Sequence, residues 1–189
     1  MCTDIRLVRL SDRHISGRTL DFGYDVESRV QVVPRGQDHS AVATDTSAQT
    51  LTWSNDLGYV GMDAFGFAWA ICDGLNEAGL SVGTLWLPET KLPTSPPTDD
   101  GTGVIDFVNL AGWILGTCRT VDDVRAALAS VRIWNAPVKR LWQSSEPLPK
   151  NLVPLADYAF TEHLTIHDAS GGDLVVEFID GETVFHDNK

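Results

Sequence analysis

The stretch that decides the fold is residues 65–87, FGFAWAICDGLNEAGLSVGTLWL. It holds two almost continuous apolar runs, residues 65–73 and 80–87, separated by a segment rich in turn residues. Asn76 tolerates turn conformations, and Gly79 can adopt a positive φ angle. Short apolar runs bounded by turn signals are typical of buried strands. The stretch therefore predicts a long buried β-hairpin, which Pro88 ends.

Shorter strand patterns precede this hairpin. Apolar and polar side chains partly alternate near the N-terminus, which is typical of half-buried strands, and Pro34 stops one later run. We predict strands at residues 3–10, 14–22, 29–34 and within 51–63, with a turn at 11–13 and a loop at 37–50. The first two strands are expected to pair as an N-terminal hairpin.

Helices and closing strands follow the central hairpin. Residues 105–118 carry an apolar stripe at helical spacing, and Thr120 is placed as the N-cap of a second helix with acidic residues in its first turn. We expect a loop at 89–103 and strands at 163–168, 174–179 and 183–185. Strands, then two helices, then strands is the element order of an α+β protein with antiparallel sheets.

Composition indicates a single globular domain over residues 1–189. Apolar residues make up 43% of the chain and charged residues 21%, and the net charge is −12. That charge argues against nucleic acid or an anionic membrane as the main partner. No apolar run is long enough to span a bilayer, and no signal peptide is visible. We therefore expect a cytoplasmic protein.

Three cysteines do not make a disulfide framework or match a zinc motif. Cys72 and Cys118 stand among apolar residues and are predicted to be buried, inert thiols. His163 and His167 are four residues apart, but the residues between them are strand-like, so a shared metal ion is not expected. We predict neither a metal site nor a cofactor.

Cys2 differs from the other cysteines because of its position. An aminopeptidase can remove Met1 when a small residue follows it, which would leave Cys2 with a thiol and a free α-amine. The ordinary pKa of the thiol is about 8.5 and that of the α-amine about 7.7–8.0. The amine can therefore accept the thiol proton near neutral pH, which makes Cys2 a candidate N-terminal nucleophile.

Two charged residues on the second predicted strand would lie beside Cys2. Arg18 could stabilise a thiolate electrostatically, and Asp21 could orient the α-amine. Either one alone is more simply explained as part of a surface ion pair. Their combination with Cys2 is what points to a catalytic site.

These residues belong to a longer pattern. It runs Met1-Cys2-Thr3, Arg18-x-x-Asp21-Phe22, residues 73–80 (DGLNEAGL), residues 85–88 (LWLP) and residues 167–171 (HDASG) before Val175-Val176-Glu177. In this order, and over essentially its whole length, the chain resembles the choloylglycine hydrolases. That family includes penicillin V acylases and bile salt hydrolases, and some relatives cleave acyl-homoserine lactones.

The resemblance implies a fold and an activity. The implied fold is the N-terminal-nucleophile (Ntn) hydrolase αββα sandwich, in which antiparallel sheets pack between helix layers. The implied reaction is hydrolysis of a linear N-acyl amide bond, with Cys2 as nucleophile and base and with Arg18 and Asp21 in support. Relatives are often tetramers, so a homotetramer is a further implication.

Trp86 is a departure from the family pattern. By the resemblance, bile salt hydrolases have Asn at this position and typical penicillin V acylases have Tyr. Trp86 suggests an aromatic wall for an apolar acyl group, with Phe22 opposite. Its backbone N–H would be an oxyanion donor in the family. The alternative, that Trp86 is simply a core residue, stays open on sequence alone.

The second departure from the family is at the C-terminus. The family continues from about residue 189 into a strand with a Thr-Asn motif, whose Asn is the other oxyanion donor, and later supplies an Arg. We therefore expect an incomplete sandwich, from a fragment, a cleaved piece or a degenerate copy. A non-catalytic acyl-amide binding module, or an inactive fragment, is the alternative to a hydrolase.

Overall fold

A computed structural model describes residues 2–8, 14–42, 48–94, 98–142 and 146–187 of the chain. The strands in this part are β1 (Thr3–Val8), β2 (His14–Thr19), β3 (Val30–Val33), β4 (Asp38–Ser40), β5 (Thr52–Ser54), β6 (Tyr59–Ala64), β7 (Phe67–Asn76), β8 (Ser81–Trp86), β9 (Val104–Asp106), β10 (Arg132–Trp134), β11 (Glu162–His167), β12 (Asp173–Ile179) and β13 (Glu182–Asp187). The helices are α1 (Leu110–Thr117), α2 (Val121–Ala129) and the single turn α3 (Val138–Leu141).

A seven-stranded antiparallel sheet is the centre of the fold. Its strand order is β13-β12-β11-β8-β7-β6-β3. The predicted central hairpin is confirmed as β7 and β8, which pair with Asp73 opposite Gly83 and Leu75 opposite Ser81. The three predicted closing strands are confirmed as β11, β12 and β13. Because β11 pairs with β8, the last strands of the chain extend the sheet beside the hairpin.

One face of the sheet carries the hydrophobic core, beneath α1. Gly74 permits this close packing, because a Cβ atom there would lie 2.5 Å from Leu115 Cδ1. The buried side chains on this face alternate along their strands, as a half-buried sheet requires. They include Val82, Leu164, Ile166, Leu174, Val176 and Phe178, each no more than 2% exposed.

Asn76 joins the β7–β8 turn to the end of α1. Its side-chain amide donates to the carbonyls of Leu115 (3.0 Å) and Cys118 (2.7 Å). Its Oδ1 accepts hydrogen bonds from the backbone N–H groups of Ala78 and Leu80, each at 3.0 Å. The residue predicted to favour a turn therefore also satisfies carbonyls that the helix end leaves free.

The opposite face of the sheet meets the N-terminal hairpin. The predicted hairpin is confirmed over β1 and β2, and its predicted turn at 11–13 lies outside the described residues. Asp4 and Arg6 project towards the sheet, and both bond to it. Ile5 and Leu7 alternate with them, so they project away and are 56% and 60% exposed.

The structure corrects the predicted start of the first helix. Residues 104–106 form β9, parallel to β10, and a 3-10 turn (Phe107–Asn109) precedes α1. The reason is Asp106, whose buried carboxylate accepts hydrogen bonds from the N–H groups of Val108 (3.1 Å) and Ala136 (3.0 Å). That second bond ties the segment to a distant strand end before the helix begins.

The second helix is confirmed, with the predicted Thr120 N-cap. Thr120 and Asp123 form a reciprocal capping box. The helix runs from Val121 to Ala129. The expected loop at 37–50 is wrong at residues 38–40, which pair with β5. The expected loop at 89–103 is irregular where it is described, and residues 95–97 lie outside that part.

The described residues thus form a helix layer, a seven-stranded sheet and a two-stranded hairpin, in that order. The predicted α+β class, with antiparallel sheets covered by helices, is confirmed. Within the part of the chain that the structure describes, no helix combines the length and apolar character needed to cross a membrane.

Candidate active site

A cleft opens at the sheet end where β8 finishes and β11 begins, beside Cys2. It encloses about 560 Å³, part of it open to solvent. Its lining comes from the N-terminal segment, from the sheet and from the residues around Phe107 and Phe160. The lining residues are Cys2, Leu20, Phe22, Val26, Ala64, Phe65, Ala70, Ile71, Cys72, Thr84, Trp86, Phe107, Val108, Phe160 and Glu162. The cleft is therefore mostly apolar, with a thiol at its edge.

Cys2 is the half-buried cysteine of the three. Its Sγ–H donates to the backbone carbonyl of Asp21 at 3.7 Å, which holds Cys2 against the segment that follows β2. Burial raises the pKa of the Cys72 thiol to about 11, and burial raises that of Cys118 to about 11 as well. Those two remain protonated at neutral pH, as the sequence prediction of inert thiols requires.

Arg18 lies next to the cleft and connects the hairpin to the sheet. Its Nε pairs with Asp73 Oδ2 at 2.5 Å, and its Nη1 donates to the carbonyl of Thr84. Gly83 makes room for it, since a Cβ atom there would lie 3.3 Å from Arg18 Cδ. Arg18 Nη2 is buried and has no hydrogen-bond partner among the described residues.

Asp73 is the partner that sequence reasoning missed. Burial raises the pKa of its carboxyl above the ordinary value, and the positive charge of Arg18 opposes that rise. In the sequence Asp73 ends an apolar run and begins the 73–80 motif, and neither feature identifies Arg18 as its partner.

Asp21 contacts Cys2 through its backbone rather than its side chain. Its carboxylate accepts a hydrogen bond from the hydroxyl of Thr19 at 3.2 Å. The expected role in orienting the α-amine stays a prediction, because Met1 lies outside the described residues.

Aromatic side chains form the wall of the cleft. Phe22 packs edge-on against Phe65 and Tyr158, with ring centroids 6.3 Å and 6.1 Å away. Trp86 is 39% exposed, and its Nε1–H donates to the hydroxyl of Thr161 at 3.0 Å. Trp86 is therefore not a core residue, and the structure brings it into one cleft with Phe22 and Cys2, as the aromatic-wall prediction requires.

Glu162 is a second residue that sequence reasoning missed. It begins β11, lies opposite Trp86 in the strand register and lines the cleft. Burial raises the pKa of its carboxyl to about 7, and the charge of Arg18 partly opposes this rise. A carboxyl with such a pKa in a cleft is a functional candidate.

A polar cluster centred on His167 attaches β1 to the sheet. His167 Nδ1 lies 2.6 Å from Asp173 Oδ1, and its Nε2 lies 3.1 Å from Asp4 Oδ2. The hydroxyl of Thr165 also donates to Asp4, and Arg6 pairs with Asp173. Each of the two carboxylates is thus bound by two side chains, and Asp4 is two residues from Cys2 in the chain.

The cluster shifts the pKa values of its members. The hydrogen bond to Asp4 raises the pKa of His167, with burial opposing and Asp173 adding to the rise. Burial acts to raise the pKa of Asp4, but its hydrogen bonds with His167 and Thr165 outweigh burial and lower it. Both shifts favour the charged pair.

No group of three or more His, Cys, Asp or Glu side chains among the described residues is arranged to hold a metal ion. His163 and His167 lie on β11, as the sequence indicated, and His167 is occupied by its two carboxylates. Burial lowers the pKa of His163.

Comparison with known proteins places the chain among hydrolases. Residues 2–189 match the family model of linear amide C–N hydrolases, choloylglycine hydrolase family. Penicillin V acylase from Pectobacterium atrosepticum is 31% identical over 182 residues, covering 94% of this chain and 44% of that protein. Bile salt hydrolase/transferase from Clostridium perfringens is 27% identical over 177 residues, covering 94% of this chain and 48% of that protein.

Solved structures share the fold. Penicillin V acylase from Agrobacterium tumefaciens superimposes with a TM-score of 0.74 at 24% identity, over all of this chain and 50% of that one. A mutant conjugated bile acid hydrolase from Clostridium perfringens gives a TM-score of 0.75 at 23% identity, over all of this chain and 51% of that one. The chain thus spans about half the length of the relatives it matches.

Proposed function

Because the chain belongs to the choloylglycine hydrolase family of linear amide C–N hydrolases, we propose that it carries the nucleophile and the acyl-binding cleft of an amide hydrolase. The observation that carries this proposal is the placement of Cys2 at the edge of a cleft walled by Phe22 and Trp86. A nucleophile next to an apolar wall is what the cleavage of an N-acyl amide needs.

The proposed reaction begins with removal of Met1, which frees the α-amine of Cys2. The amine takes the proton of the thiol, and the thiolate attacks the amide carbonyl to form a tetrahedral oxyanion. The amine then gives the proton to the departing nitrogen as the C–N bond breaks. Water, deprotonated by the same amine, hydrolyses the thioester and releases the carboxylic acid.

Arg18 is proposed to stabilise the thiolate. Its guanidinium is anchored by Asp73 and the Thr84 carbonyl, and the buried Nη2 leaves donors free for an anion. Asp21 is proposed to hold the α-amine in position, since its backbone already contacts Cys2. The Trp86 backbone N–H is the proposed oxyanion donor from this chain.

The cleft favours an apolar or aromatic acyl group as substrate. Five aromatic rings line it, those of Phe22, Phe65, Trp86, Phe107 and Phe160. Burial of its apolar surface would contribute roughly 25 cal/mol per Å² to the free energy of binding, and packing against the rings would add to this. N-acyl amides such as penicillin V, conjugated bile salts and acyl-homoserine lactones are the candidates to compare.

The test is a pair of cysteine variants in the full-length protein, assayed on that panel. Cys2→Ala is expected to abolish hydrolysis while the circular dichroism spectrum is unchanged. Cys118→Ala is the matched control and is expected to retain hydrolysis, because its thiol is buried away from the cleft.

Mass spectrometry of the active preparation should find Cys2 at the N-terminus. An active preparation that retains Met1 would contradict the proposed use of the α-amine. Tight binding of an acyl amide with no turnover by the full-length protein would instead favour a non-catalytic acyl-amide binding module.

A further inference from the structure

Glu162 projects into the cleft from the strand opposite Trp86. The two residues are directly paired in antiparallel strands, so their side chains lie on the same face of the sheet. Thr84 and Leu164, the next such pair along these strands, also share that face. The carboxyl of Glu162 therefore stands at the same wall that the acyl group of a substrate would contact.

This carboxyl has no hydrogen bond or ion pair with any residue that the structure describes. The fully buried carboxylates Asp63 and Asp106 are well supplied: Asp63 accepts from the Arg29 N–H and from Gln31, and Asp106 accepts from two backbone N–H groups. Glu162 is partly buried, so its carboxylate has lost part of its hydration without a protein donor in exchange, which costs free energy. A ligand that supplied the missing donor would remove that cost.

The charged groups around Glu162 would allow one further cation to bind beside it. Arg18 is the cation that acts on it, but the Arg18 guanidinium is already paired with Asp73. When Glu162 is ionised, Arg18 is therefore shared among Glu162, Asp73 and any thiolate, so a further cation in the cleft would bind favourably. Phe22, Trp86 and Phe160 line the same space, and the faces of aromatic rings attract cations.

Resting on the function proposed above, we propose that Glu162 selects acyl groups that carry a primary ammonium. The substrate class is then N-acyl amides with an apolar, ring-containing acyl chain that ends in an amine. The aromatic wall holds the apolar part of the chain, and Glu162 accepts hydrogen bonds from the ammonium.

The experiment measures binding in the unreactive Cys2→Ala form of the full-length protein. The probes are para-aminomethyl-phenylacetyl glycinamide and its apolar isostere, para-ethyl-phenylacetyl glycinamide. By titration calorimetry we expect the ammonium ligand to bind at least about tenfold more tightly, which is about 1.4 kcal/mol. Adding Glu162→Gln should abolish that preference, and adding Glu182→Gln, an exposed glutamate of β13, should leave it unchanged.

The pH dependence of binding gives a second measurement. Burial raises the pKa of Glu162 to about 7, so the carboxyl ionises and the ammonium ligand should bind more tightly as pH rises through that value. Arg18 places a positive charge near Glu162, and burial raises the pKa of both Cys72 and Tyr158, so neither of these two titrates there. The α-amine of residue 2 has an ordinary pKa of about 7.7–8.0, and Glu162→Gln separates its effect from that of the carboxyl. The apolar isostere should show no such change.

Equal or weaker binding of the ammonium ligand would overturn the proposal, as would an equal preference in Glu162→Gln. The free α-ammonium of residue 2 could itself pair with Glu162, and the preference would then be absent. Failure of the proposed hydrolase function gives a different result: the protein with Cys2 intact hydrolyses neither amide, whatever the binding preference.

Discussion

The two hairpins of this molecule are attached in opposite ways. The β7–β8 hairpin is bonded through its backbone to β6 on one side and to β11 on the other, and one of its faces is buried under α1. The β1–β2 hairpin pairs only with itself among the described residues, and side chains connect it to the sheet. Those side chains are Asp4, Arg6 and Arg18.

The central hairpin therefore mainly determines the stability of the fold, and the N-terminal hairpin mainly determines the geometry of the candidate site. The central hairpin carries the apolar burial that dominates the free energy of folding. The N-terminal hairpin carries Cys2 and depends on a few polar contacts, so its local opening should cost less than global unfolding. Variants can therefore be designed to affect one hairpin and leave the other intact.

The largest effect is expected at the central hairpin, from Asn76→Ala. This change leaves the carbonyls of Leu115 and Cys118 and the N–H groups of Ala78 and Leu80 without their partner. We expect the free energy of unfolding to fall by about 2–4 kcal/mol, since each buried unsatisfied group costs about 1–3 kcal/mol before relaxation. Denaturant unfolding followed by tryptophan fluorescence measures it.

Asn151→Ala is the matched control for Asn76→Ala. The Asn151 side chain is exposed and bonds to Glu27 at 3.2 Å. Its removal is expected to leave the unfolding midpoint unchanged. Equal effects of the two substitutions would show that the β7–β8 turn does not depend on the Asn76 network.

The next largest effect is expected at the N-terminal hairpin, from Arg18→Leu. The change leaves Asp73 and the Thr84 carbonyl without their partner, at a cost of about 1–3 kcal/mol. Hydrogen exchange should become faster in β1 and β2 while β7 and β8 stay protected. Hydrolysis should fall in parallel, because the proposed support of the thiolate is lost.

Arg35→Leu tests whether any arginine would give the same result. Arg35 pairs with Glu77 at the protein surface, and its side chain is 66% exposed. We expect unchanged exchange in β1 and β2 and unchanged hydrolysis. Faster exchange throughout the sheet in Arg18→Leu would argue against the separation of the two hairpins.

A smaller, pH-dependent effect is expected from His167. The pKa of His167 is raised in the fold, so its stabilising contribution is complete below its ordinary value of 6.5 and is lost as pH rises through the raised value. The lowered pKa of Asp4 acts in the opposite range: its contribution is present above 3.8 and is lost as pH falls through the lowered value. Attachment of β1 should therefore be strongest at mildly acidic pH.

Hydrogen exchange of β1, corrected for the intrinsic pH dependence, measures this attachment from about pH 5.5 to about pH 8.5. In the native sequence, protection of β1 should decrease across that range, and in His167→Gln it should be low and constant. His186→Gln is the control, because His186 pairs with Glu177 and no described hydrogen bond or ion pair joins either residue to β1. A decrease that persists in His167→Gln would contradict the assignment to this residue.

The sequence correctly predicted those strands and helix ends that are determined by residues close to them in the chain. The apolar runs of β7 and β8, the Thr120 cap and the three closing strands follow from patterns within a few residues, and the structure has all of them. The late start of α1 could not be predicted in this way. It depends on the bond from Asp106 to the Ala136 N–H, which lies thirty residues away in the chain.

The same distinction applies to the candidate site. Cys2, Phe22 and Trp86 were predicted by the family pattern, and they meet in one cleft. Asp73 and His167 belong to that pattern but were given no role at the site, and Glu162 does not belong to it, because the importance of all three depends on which strands pair. Glu162 reaches the cleft only because β11 pairs with β8 in the register that sets it opposite Trp86.

The smallest effect is expected from Lys91→Gln, which removes an ion pair that resembles those of the hairpin. Lys91 Nζ lies 2.9 Å from Asp180, but the two side chains are 70% and 74% exposed. The Lys91 backbone also donates to Phe178 and accepts from Gly181, at 2.9 Å and 2.8 Å. These backbone bonds hold the segment in place whether or not the ion pair is present, and exposed pairs contribute little.

We therefore expect Lys91→Gln to change neither the unfolding midpoint nor exchange in β12 and β13. The same measurement on Arg6→Gln should show faster exchange in β1, because Arg6 lies 5% exposed against Asp173 and no described backbone bond replaces it. If both variants leave exchange unchanged, or both accelerate it, then losing a polar contact has the same effect whether or not backbone hydrogen bonds also hold the segment. The contrast between the hairpins would then rest on apolar burial alone.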